Sequence, residues 1–175
     1  MSLLEEVAAL LRRRAVAQAV IGAAALAAHG VSRATADLDL LIVDAACLDV
    51  GVWEELSSRG VHVDVRAGGF DDPLAGVIRI SRPGEGAVDV IVGRSAWQRD
   101  LLARSELRPI GGATLPVVRP ADLVLLKLYA GGPQDAWDID RLLQLDASIP
   151  SEVEARLGEL PADCGELWRR IRAGR

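Results

Sequence analysis

The chain of 175 residues is half hydrophobic, with a formal net charge of −5 and a pI near 5.1. This length predicts one domain with a substantial core, and the acidic balance excludes a long-range basic field for attracting nucleic acid, so any polyanion would be held by local contacts. Cys47 and Cys164 lack neighbouring Cys or His residues at metal-site spacing, and two thiols do not indicate a disulfide framework, which favours a reducing cytoplasm.

An Ala-rich stretch near the N-terminus raises the alternative of a secretory signal. Three arginines at positions 12–14 precede an apolar run, as the charged region of a signal does. The run contains Gln18 and His29, and the arginines follow an amphipathic helix with acids near its start, so we predict a folded segment of a cytoplasmic protein. No apolar stretch approaches the ~20 residues of a membrane span, and no membrane partner is expected.

The first part of the chain predicts an alternation of helices and short strands. Residues 3–14 carry apolar side chains on one helical stripe, and residues 15–21 fit either an extended segment or a continuation of that helix. Residues 22–29 predict an Ala-rich helix that Gly30 terminates. The predicted elements that follow are a buried strand at 38–43, a helix at 46–59, an alternating strand at 61–67, a β-hairpin at 77–92 and a short helix at 97–104.

The chain changes character near residue 121. A glycine turn and a strand piece at 115–118 precede four helical segments that Gly and Pro residues separate. Strands followed by helices favour an α/β architecture. We therefore predict an α/β core over residues 1–120 and a C-terminal helical region over residues 121–175, packed on the core as one compact unit.

Two acidic residues, Asp37 and Asp39, lie at the start of the buried strand. Side chains two apart in a strand share one face, so these carboxylates project together while Leu40 and Ile42 point to the core. Like charges at this spacing repel, and in apolar surroundings at least one carboxyl would take up a proton unless a cation lies between them. Oxygen ligands of this kind suit Mg²⁺ or Mn²⁺, which also bind substrate phosphates.

A third acid, Asp89, lies among buried valines in the predicted hairpin, where the strand could bring it beside the first pair. Asp64 is a rival for this position, but the residues on its face of the strand have a solvated pattern, so we favour Asp89. Three acids could hold two metal ions, which is the arrangement that in-line displacement at phosphorus uses.

A set of residues around the acidic pair follows a characteristic order: Gly22, His29, Gly30, Arg33, Thr35, Asp37 and Asp39. This order resembles the minimal nucleotidyltransferases of the polymerase-beta-like superfamily, especially the bacterial abortive-infection and toxin–antitoxin branch. In that family a Gly-Gly or Gly-Ser opens a short helix, and a His-Gly, an Arg and a Thr or Ser precede Asp-x-Asp on a strand. A second block is similar at Lys127, Asp135 and Asp138, so the resemblance covers about residues 20 to 145.

The resemblance implies a nucleotidyltransferase fold, with a mixed sheet flanked by helices and a small C-terminal helical bundle. It implies a Mg²⁺-dependent or Mn²⁺-dependent transfer of NMP from an NTP such as ATP to an acceptor hydroxyl, with release of pyrophosphate. Asp37, Asp39 and Asp89 would hold the metal ions, and Asp89 would also act as general base. The residues expected to contact the nucleotide are Gly22, Ala23, Arg33, Thr35, Lys127 and Asp135.

The resemblance leaves the acceptor open between a tRNA 3′ end, a protein side chain and a small molecule such as an aminoglycoside. It also implies a toxin or antitoxin partner. Most of the site residues have a structural interpretation as well: Gly22 could simply start a helix, Lys127 could extend over the surface, and Asp135 could pair with Lys127 or cap a helix. His29 is interpreted as an interior residue that donates to the backbone, and Asp138 as part of a solvated face or as a partner for Arg141.

Two departures from the family pattern motivate another function. Ala23 stands where the family has Gly or Ser, and the turn around Gly132 lacks basic residues. A non-catalytic antitoxin or regulatory nucleotide-binding module is therefore the alternative, although the retention of three acids argues against it. A metal-dependent nuclease or phosphohydrolase shares the carboxylates but accounts for neither the glycine-led helix nor the block around Lys127.

Overall fold

The computed structural model describes residues 1–31 and 37–174. The helices are α1 (Leu3–Arg13), α2 (Gly22–Ala28), α3 (Glu54–Ser57), α4 (Ala96–Ala103), α5 (Pro120–Ala130), α6 (Asp135–Leu142), α7 (Ile149–Glu154) and α8 (Ala162–Ala173). The strands are β1 (Gln18–Ile21), β2 (Leu38–Ile42), β3 (His62–Ala67), β4 (Gly76–Ser81), β5 (Val88–Val92), β6 (Glu106–Ile110) and β7 (Ala113–Val117). The predictions made for Arg33 and Thr35 lie outside the described residues.

The strands form one mixed sheet in the order β3-β4-β5-β2-β1-β7-β6. Strand β2 pairs with β5 in parallel, and β1 pairs with β7 in parallel. The remaining neighbours are antiparallel, including the predicted hairpin of β4 and β5. The α/β class and the mixed sheet flanked by helices are confirmed.

The amphipathic helix predicted at the N-terminus is confirmed as α1. Its first turn is closed by a capping box, in which the Glu5 backbone N–H donates to the Ser2 hydroxyl and the Ser2 N–H donates to the Glu5 carboxylate. Leu3, Val7 and Leu11 are buried along its inner stripe. The segment after it, which fitted either structure, is the strand β1.

The single helix predicted at 46–59 is wrong. The chain there forms two 3₁₀ segments, Ala45–Leu48 and Val50–Trp53, followed by the one-turn helix α3. The Asp44 and Asp49 carboxylates each accept a hydrogen bond from the backbone N–H two residues further on, at 3.0 and 2.8 Å. Because such side-chain bonds start a new turn each time, they interrupt a continuous helix.

The strand piece predicted at 115–118 is one arm of a hairpin. Strands β6 and β7 pair from Glu106↔Val117 to Ile110↔Ala113, around two glycines with positive φ. Strand β6 has no clear apolar alternation because it lies at the sheet edge, where Leu107 is mostly exposed. A half-buried pattern is therefore missing from its sequence.

The helices that follow β7 share the core of the sheet. Leu123 of α5 and Trp168 of α8 belong to the same buried cluster as Val90 of β5. The four helical segments predicted after residue 121 are thus observed, and the division of the chain near residue 120 stays a prediction. In the part of the chain that the structure describes, no helix combines the length and apolar character that crossing a bilayer requires.

Candidate active site

Asp39 and Asp89 lie side by side on neighbouring strands. The parallel register of β2 and β5 pairs Asp39 with Asp89, and residues paired in register project to the same face of a sheet. Asp37 precedes Asp39 by two residues, while Leu40 and Ile42 are buried on the opposite face. The predicted proximity of Asp89 to the acidic pair is observed, and the roles of these residues as metal ligands stay predictions.

The charged residues continue as a row across the sheet. Arg79 on β4 pairs in register with Asp89, and Asp64 on β3 pairs in register with Arg79. Asp64 is thus separated from Asp89 by Arg79, and its carboxylate contacts Arg66 at 2.8 Å. The structure therefore brings Asp89, and not Asp64, next to Asp39.

The Arg79 guanidinium bridges two of the carboxylates. It donates to Asp89 Oδ2 at 2.7 Å and to Asp37 Oδ2 at 2.9 Å, and this hydrogen bond is the main reason that the pKa of Asp37 lies below its ordinary value. Arg79 was not among the site residues predicted from the sequence. The sequence feature that could have identified it is a single cation within an apolar strand, in the arm of the predicted hairpin that pairs with the strand of Asp89.

Asp39 is held in an electrostatically unfavourable position. Its carboxylate accepts no hydrogen bond from the described residues, and burial, followed by the charges of Asp89 and Asp37, raises its pKa to about 6. Burial also raises the pKa of Asp89, although Arg79 opposes the shift. The Asp89 Oδ1 atom is fully buried and has no hydrogen-bond partner within the described part of the chain. Such oxygens are left with unused capacity to bind a cation.

Gly22 fits tightly against Asp39. Its φ of +64° is in the left-handed region, and a Cβ atom built on it would lie 2.1 Å from Asp39 Oδ2. A side chain at this position would therefore be strained by its backbone conformation and would force the Asp39 carboxylate to shift. Gly22 starts α2, as its structural interpretation predicted. Because it has no side chain, it also leaves room for the Asp39 carboxylate. Ala23 lies on another side of α2, where it lines a cavity with Leu38 and Ile110.

We expect the substitution Gly22→Ala to lower both stability and activity. The left-handed conformation costs a non-glycine residue roughly 1–2 kcal/mol, and displacement of the Asp39 carboxylate should lower nucleotidyl transfer by about 10²-fold. Thermal unfolding and initial rates would measure the two effects. Gly165→Ala is the matched control because its Cβ would meet nothing within 4 Å, and equal behaviour of the two variants would contradict this prediction.

Lys127, the only lysine in the sequence, forms a buried ion cluster. Its side chain on α5 is 9% exposed, and its Nζ lies 3.0 Å from Asp135 Oδ1 and 2.5 Å from Asp138 Oδ2. The interpretation as a surface lysine is wrong, and so is the solvated face expected for Asp138, which is fully buried. The charge of Lys127 lowers the pKa of Asp39, opposing the effect of burial. Contact of Lys127 or Asp135 with a phosphate stays a prediction.

His29 has the structural role expected for it. Its Nε2 lies 2.7 Å from the Val118 carbonyl oxygen, a hydrogen bond that joins the end of α2 to the end of β7. Burial lowers the pKa of this imidazole, which favours the neutral ring with its proton on Nε2. Gly30 follows with a φ of +86° and ends the helix as predicted.

The stability of the metal-free protein should depend on pH through Asp39. Because its pKa rises from 3.8 to about 6 on folding, the folded state binds a proton more tightly than the unfolded state does. The contribution of Asp39 to the free energy of unfolding is therefore fully present below the pKa of the unfolded state. It is lost as the pH rises through the pKa of the folded state. We expect the Tm of Asp39→Asn minus that of the wild type to increase between about pH 4.5 and about pH 7.5, as measured by calorimetry. A difference that stays constant over this range would contradict the assignment.

No protein-family model and no curated protein matches the sequence. Solved structures are similar to it in fold. The antibiotic-resistance factor ANT(2″)-Ia in complex with adenylyl-2″-tobramycin is 15% identical, with a TM-score of 0.56 over 87% of this chain and 94% of that chain. The lincosamide antibiotic adenylyltransferase LnuA, lincomycin-bound, is 13% identical, with a TM-score of 0.52 over 82% of this chain and 96% of that chain.

A fungal structure is similar over nearly the whole chain. The antigenic nucleotidyltransferase-like protein from Paracoccidioides brasiliensis is 20% identical, with a TM-score of 0.52 over 98% of this chain and 91% of that chain. At these identities the likeness establishes the fold alone. The nucleotidyltransferase fold predicted from the sequence is confirmed.

Proposed function

We propose that the protein is a metal-dependent nucleotidyltransferase, which transfers NMP from an NTP to an acceptor hydroxyl and releases pyrophosphate. The observation that carries this proposal is the pairing of Asp39 with Asp89 in register on two parallel strands, with Asp37 on the same side. Retaining like charges this close together is unfavourable unless a cation is bound during function. The nucleotidyltransferase fold makes an NTP with its metal ions the natural source of that cation.

The residues of the site fit Mg²⁺ or Mn²⁺ by their chemistry. Asp37, Asp39 and Asp89 offer only carboxylate oxygens, and the unpartnered Asp89 Oδ1 has the capacity to bind a hard cation. Within residues 1–31 and 37–174, no three Cys, His, Asp or Glu side chains already form a group that could hold a metal ion, and Arg79 bridges Asp37 and Asp89 in their present positions. Metal binding therefore requires the Arg79 guanidinium to move away from these carboxylates.

Each carboxylate has a proposed role in the transfer. Bound metal ions would stabilise the charge that develops on the attacking and leaving oxygens. Asp37 and Asp39 would hold these ions and so orient the triphosphate. Asp89, whose pKa burial raises, accepts the proton of the acceptor hydroxyl as that oxygen attacks the α-phosphorus. The bond from the α-phosphorus to the β-phosphate oxygen breaks, and pyrophosphate leaves.

The remaining predicted residues would bind the nucleotide. Gly22 keeps the backbone beside Asp39 free of side-chain atoms, so that a phosphate can approach it. Lys127 contributes positive charge near the carboxylates, with Asp135 holding its ammonium in place. We propose that Ala23 contributes through its backbone N–H, and that Arg33 and Thr35, which lie outside the described residues, contact the phosphates.

The acceptor belongs to one of three classes: a small molecule, a protein side chain or a tRNA 3′ end. A small molecule is favoured by the structural likeness to ANT(2″)-Ia with adenylyl-2″-tobramycin and to lincomycin-bound LnuA. The similarity of the motifs to the toxin–antitoxin branch keeps the other two classes open, together with a toxin or antitoxin partner. The rival function, a regulatory module that binds nucleotide without catalysis, rests on Ala23 and on the turn without basic residues around Gly132.

The decisive experiment incubates the protein with each NTP labelled at the α-phosphate, with Mg²⁺ or Mn²⁺, and with tobramycin, lincomycin, total tRNA or a protein lysate. Transfer of label that requires metal and Asp37 supports the proposed function. Label transfer that survives Asp37→Ala and Asp39→Ala would eliminate the mechanism. Metal-dependent NTP binding without transfer to any acceptor would favour the regulatory module.

Arg79 should compete with metal ions for the carboxylates. Its guanidinium donates hydrogen bonds to both Asp37 and Asp89. Because Arg79→Gln removes a positive charge that neutralises these carboxylates, we expect it to tighten Mn²⁺ binding by roughly tenfold. Electron paramagnetic resonance of free Mn²⁺ would measure the affinity without any catalytic assay. Arg66→Gln is the matched control on β3, since Arg66 contacts Asp64 alone among the carboxylates of the row. Equal Mn²⁺ affinities of wild type and Arg79→Gln would show that the bridge does not compete.

A further inference from the structure

Two cavities flank the row of charges on the same face of the sheet. The first, of about 450 Å³, lies on the Asp39 side and is lined by Ile21, Leu41, Leu126 and Tyr129. The second, of about 280 Å³, lies on the Asp89 side. It is lined by the charged residues Asp64, Arg66, Arg79 and Asp89 together with Val77 and with Ile91, which also lines the first cavity. We call them the apolar cavity and the charged groove. A substrate held at the acids can therefore extend in two chemically different directions.

The apolar cavity has few polar atoms with free hydrogen-bonding capacity among its described lining residues. The Tyr129 hydroxyl donates to the Pro73 carbonyl at 2.9 Å. Gln98 is almost fully buried, and its Oε1 accepts from the backbone N–H groups of Arg94 and Ser95 at 2.9 and 3.0 Å. Its Nε2 donates no hydrogen bond among the described residues and is therefore available to a ligand. Asp39 remains as the charged group at one end of the cavity. A ligand inside it would be held mainly by contact with aliphatic and aromatic side chains, with the Gln98 amide as a neutral donor.

One wall of the apolar cavity is a preformed loop. Pro73 and Leu74 line the cavity from the connection between β3 and β4. The Arg94 guanidinium donates to the Leu74 carbonyl at 2.6 Å and to the carbonyls of Gly69 and Phe70 at 3.0 Å. With the bond from Tyr129, these contacts attach the loop to the start of α4 and to α5. The cavity is thus shaped before a ligand enters, which reduces the entropy cost of binding.

The proposed function, on which this inference rests, indicates which part of the substrate extends into the apolar cavity and which into the charged groove. Asp89 is the proposed base, so the acceptor hydroxyl approaches from the charged groove, whose lining includes Asp89. The apolar cavity touches Asp39 and the residue before Gly22, where the triphosphate is proposed to bind. The nucleoside attached to the α-phosphate then extends toward the apolar cavity, whose volume is within the range of small-molecule sites.

We infer that the apolar cavity binds the nucleobase of the NTP mainly by packing, and that the Gln98 Nε2 amide donates to the acceptor oxygen or ring nitrogen that every base carries. An apolar pocket discriminates weakly between ligands of similar size, whereas a site built to hydrogen-bond a ligand rejects analogues by several orders of magnitude. The protein therefore accepts all four NTPs. Purines bind more tightly than pyrimidines because they bury more surface against Leu126 and Tyr129.

The test measures binding, not transfer. Calorimetric titrations with ATP, GTP, CTP, UTP and inorganic tripolyphosphate in the presence of Mn²⁺ should give dissociation constants for the four nucleotides within roughly tenfold of one another. Tripolyphosphate, which has no base, should bind more weakly than any of them. Ala130→Trp, which places an indole in the cavity wall, should weaken all four nucleotides by roughly tenfold or more and leave tripolyphosphate unchanged.

A matched variant and a probe of the base complete the test. Ala103→Trp alters an exposed alanine that is also the last residue of a helix, and it should change none of the affinities. With wild-type protein, the fluorescence of 2-aminopurine riboside triphosphate should shift to shorter wavelength on binding, which tests the apolar environment without relying on a variant that has to fold.

The inference is overturned if one NTP binds more than roughly a hundredfold better than the others, if Ala130→Trp affects tripolyphosphate as much as ATP, or if the probe's emission does not shift. Failure of the proposed function gives a different result: nucleotides bind with the expected pattern but no acceptor is labelled. Absence of binding by every nucleotide and by tripolyphosphate would reject both.

Discussion

Asp39→Asn is expected to abolish nucleotidyl transfer while raising the thermal stability of the metal-free protein at neutral pH. The loss should reach about 10³-fold, because a carboxylate that holds a metal ion supplies several kcal/mol of transition-state stabilisation. Asparagine has nearly the same shape and keeps only a neutral amide oxygen. The variant therefore removes the charge at Asp39 and preserves the packing against Gly22.

The gain in stability follows from the surroundings of Asp39. Burial and the neighbouring charges of Asp89 and Asp37 raise its pKa to about 6, so the ionised carboxylate is unfavourable in the folded state at pH 7. Calorimetry in the presence of a chelator would measure the increase in Tm, and label transfer from the NTP would measure activity on the same preparation. A stability gain at a functional residue is the pattern expected where catalysis requires a strained arrangement.

Asp100→Asn is the control for this experiment, because Asp100 is an exposed residue on α4 that lines neither the apolar cavity nor the charged groove. It should change neither quantity. If Asp39→Asn retained most of the activity, the role of Asp39 would be wrong. If it lowered the Tm, the ionised Asp39 carboxylate would be stabilised in the folded state, contrary to the raised pKa of this group.

Lys127→Met is expected to cause the largest loss of stability of any substitution outside the apolar core. Lys127 is buried between Asp135 and Asp138, and removing one partner of a buried ion cluster typically costs about 3–5 kcal/mol because the other charges stay buried. For a chain of this size the corresponding decrease in Tm is roughly 6–20 °C. Thermal unfolding followed by circular dichroism would measure it.

Two further variants separate charge from packing. The triple variant Lys127→Met, Asp135→Asn and Asp138→Asn should recover much of the loss, because neutral residues of similar shape no longer leave buried charges unpaired. Arg99→Met removes an exposed cation from α4 and should leave the Tm unchanged. If the single variant were as stable as the wild type, Lys127 would not be required to neutralise the two carboxylates.

Much of the fold could be predicted because its elements carry their own local signals. The stripe of Leu3, Val7 and Leu11 identifies α1, and the apolar runs around Asp39 and Asp89 identify the two central parallel strands. Helix α5 is delimited by Pro120 at its start and by a glycine with positive φ at its end. What failed was the segment at 46–59, where side-chain caps compete with helix, and β6, whose edge position removes the apolar alternation.

The candidate site could be predicted in part for a similar reason. The pair of acids is visible in the sequence because the two residues are two apart, and Asp89 could be inferred from a hairpin. The bridge from Arg79 depends on the register between strands, which the sequence does not state. The cluster around Lys127 depends on how α5 packs against α6, so the burial of Asp138 could not be seen from a local pattern of charges.

The register between β2 and β5 also limits how this chain can misfold. If either strand shifted by one residue, its acid would take the place of a neighbour such as Leu40 or Val90, both of which are almost completely inaccessible to water. Ionised oxygen atoms in that layer would cost far more than the lost apolar contacts. Asp39 and Asp89 therefore also disfavour incorrect registers of β2 and β5 during folding. Replacing them with apolar residues would make shifted registers more stable relative to the native one, in addition to abolishing the reaction.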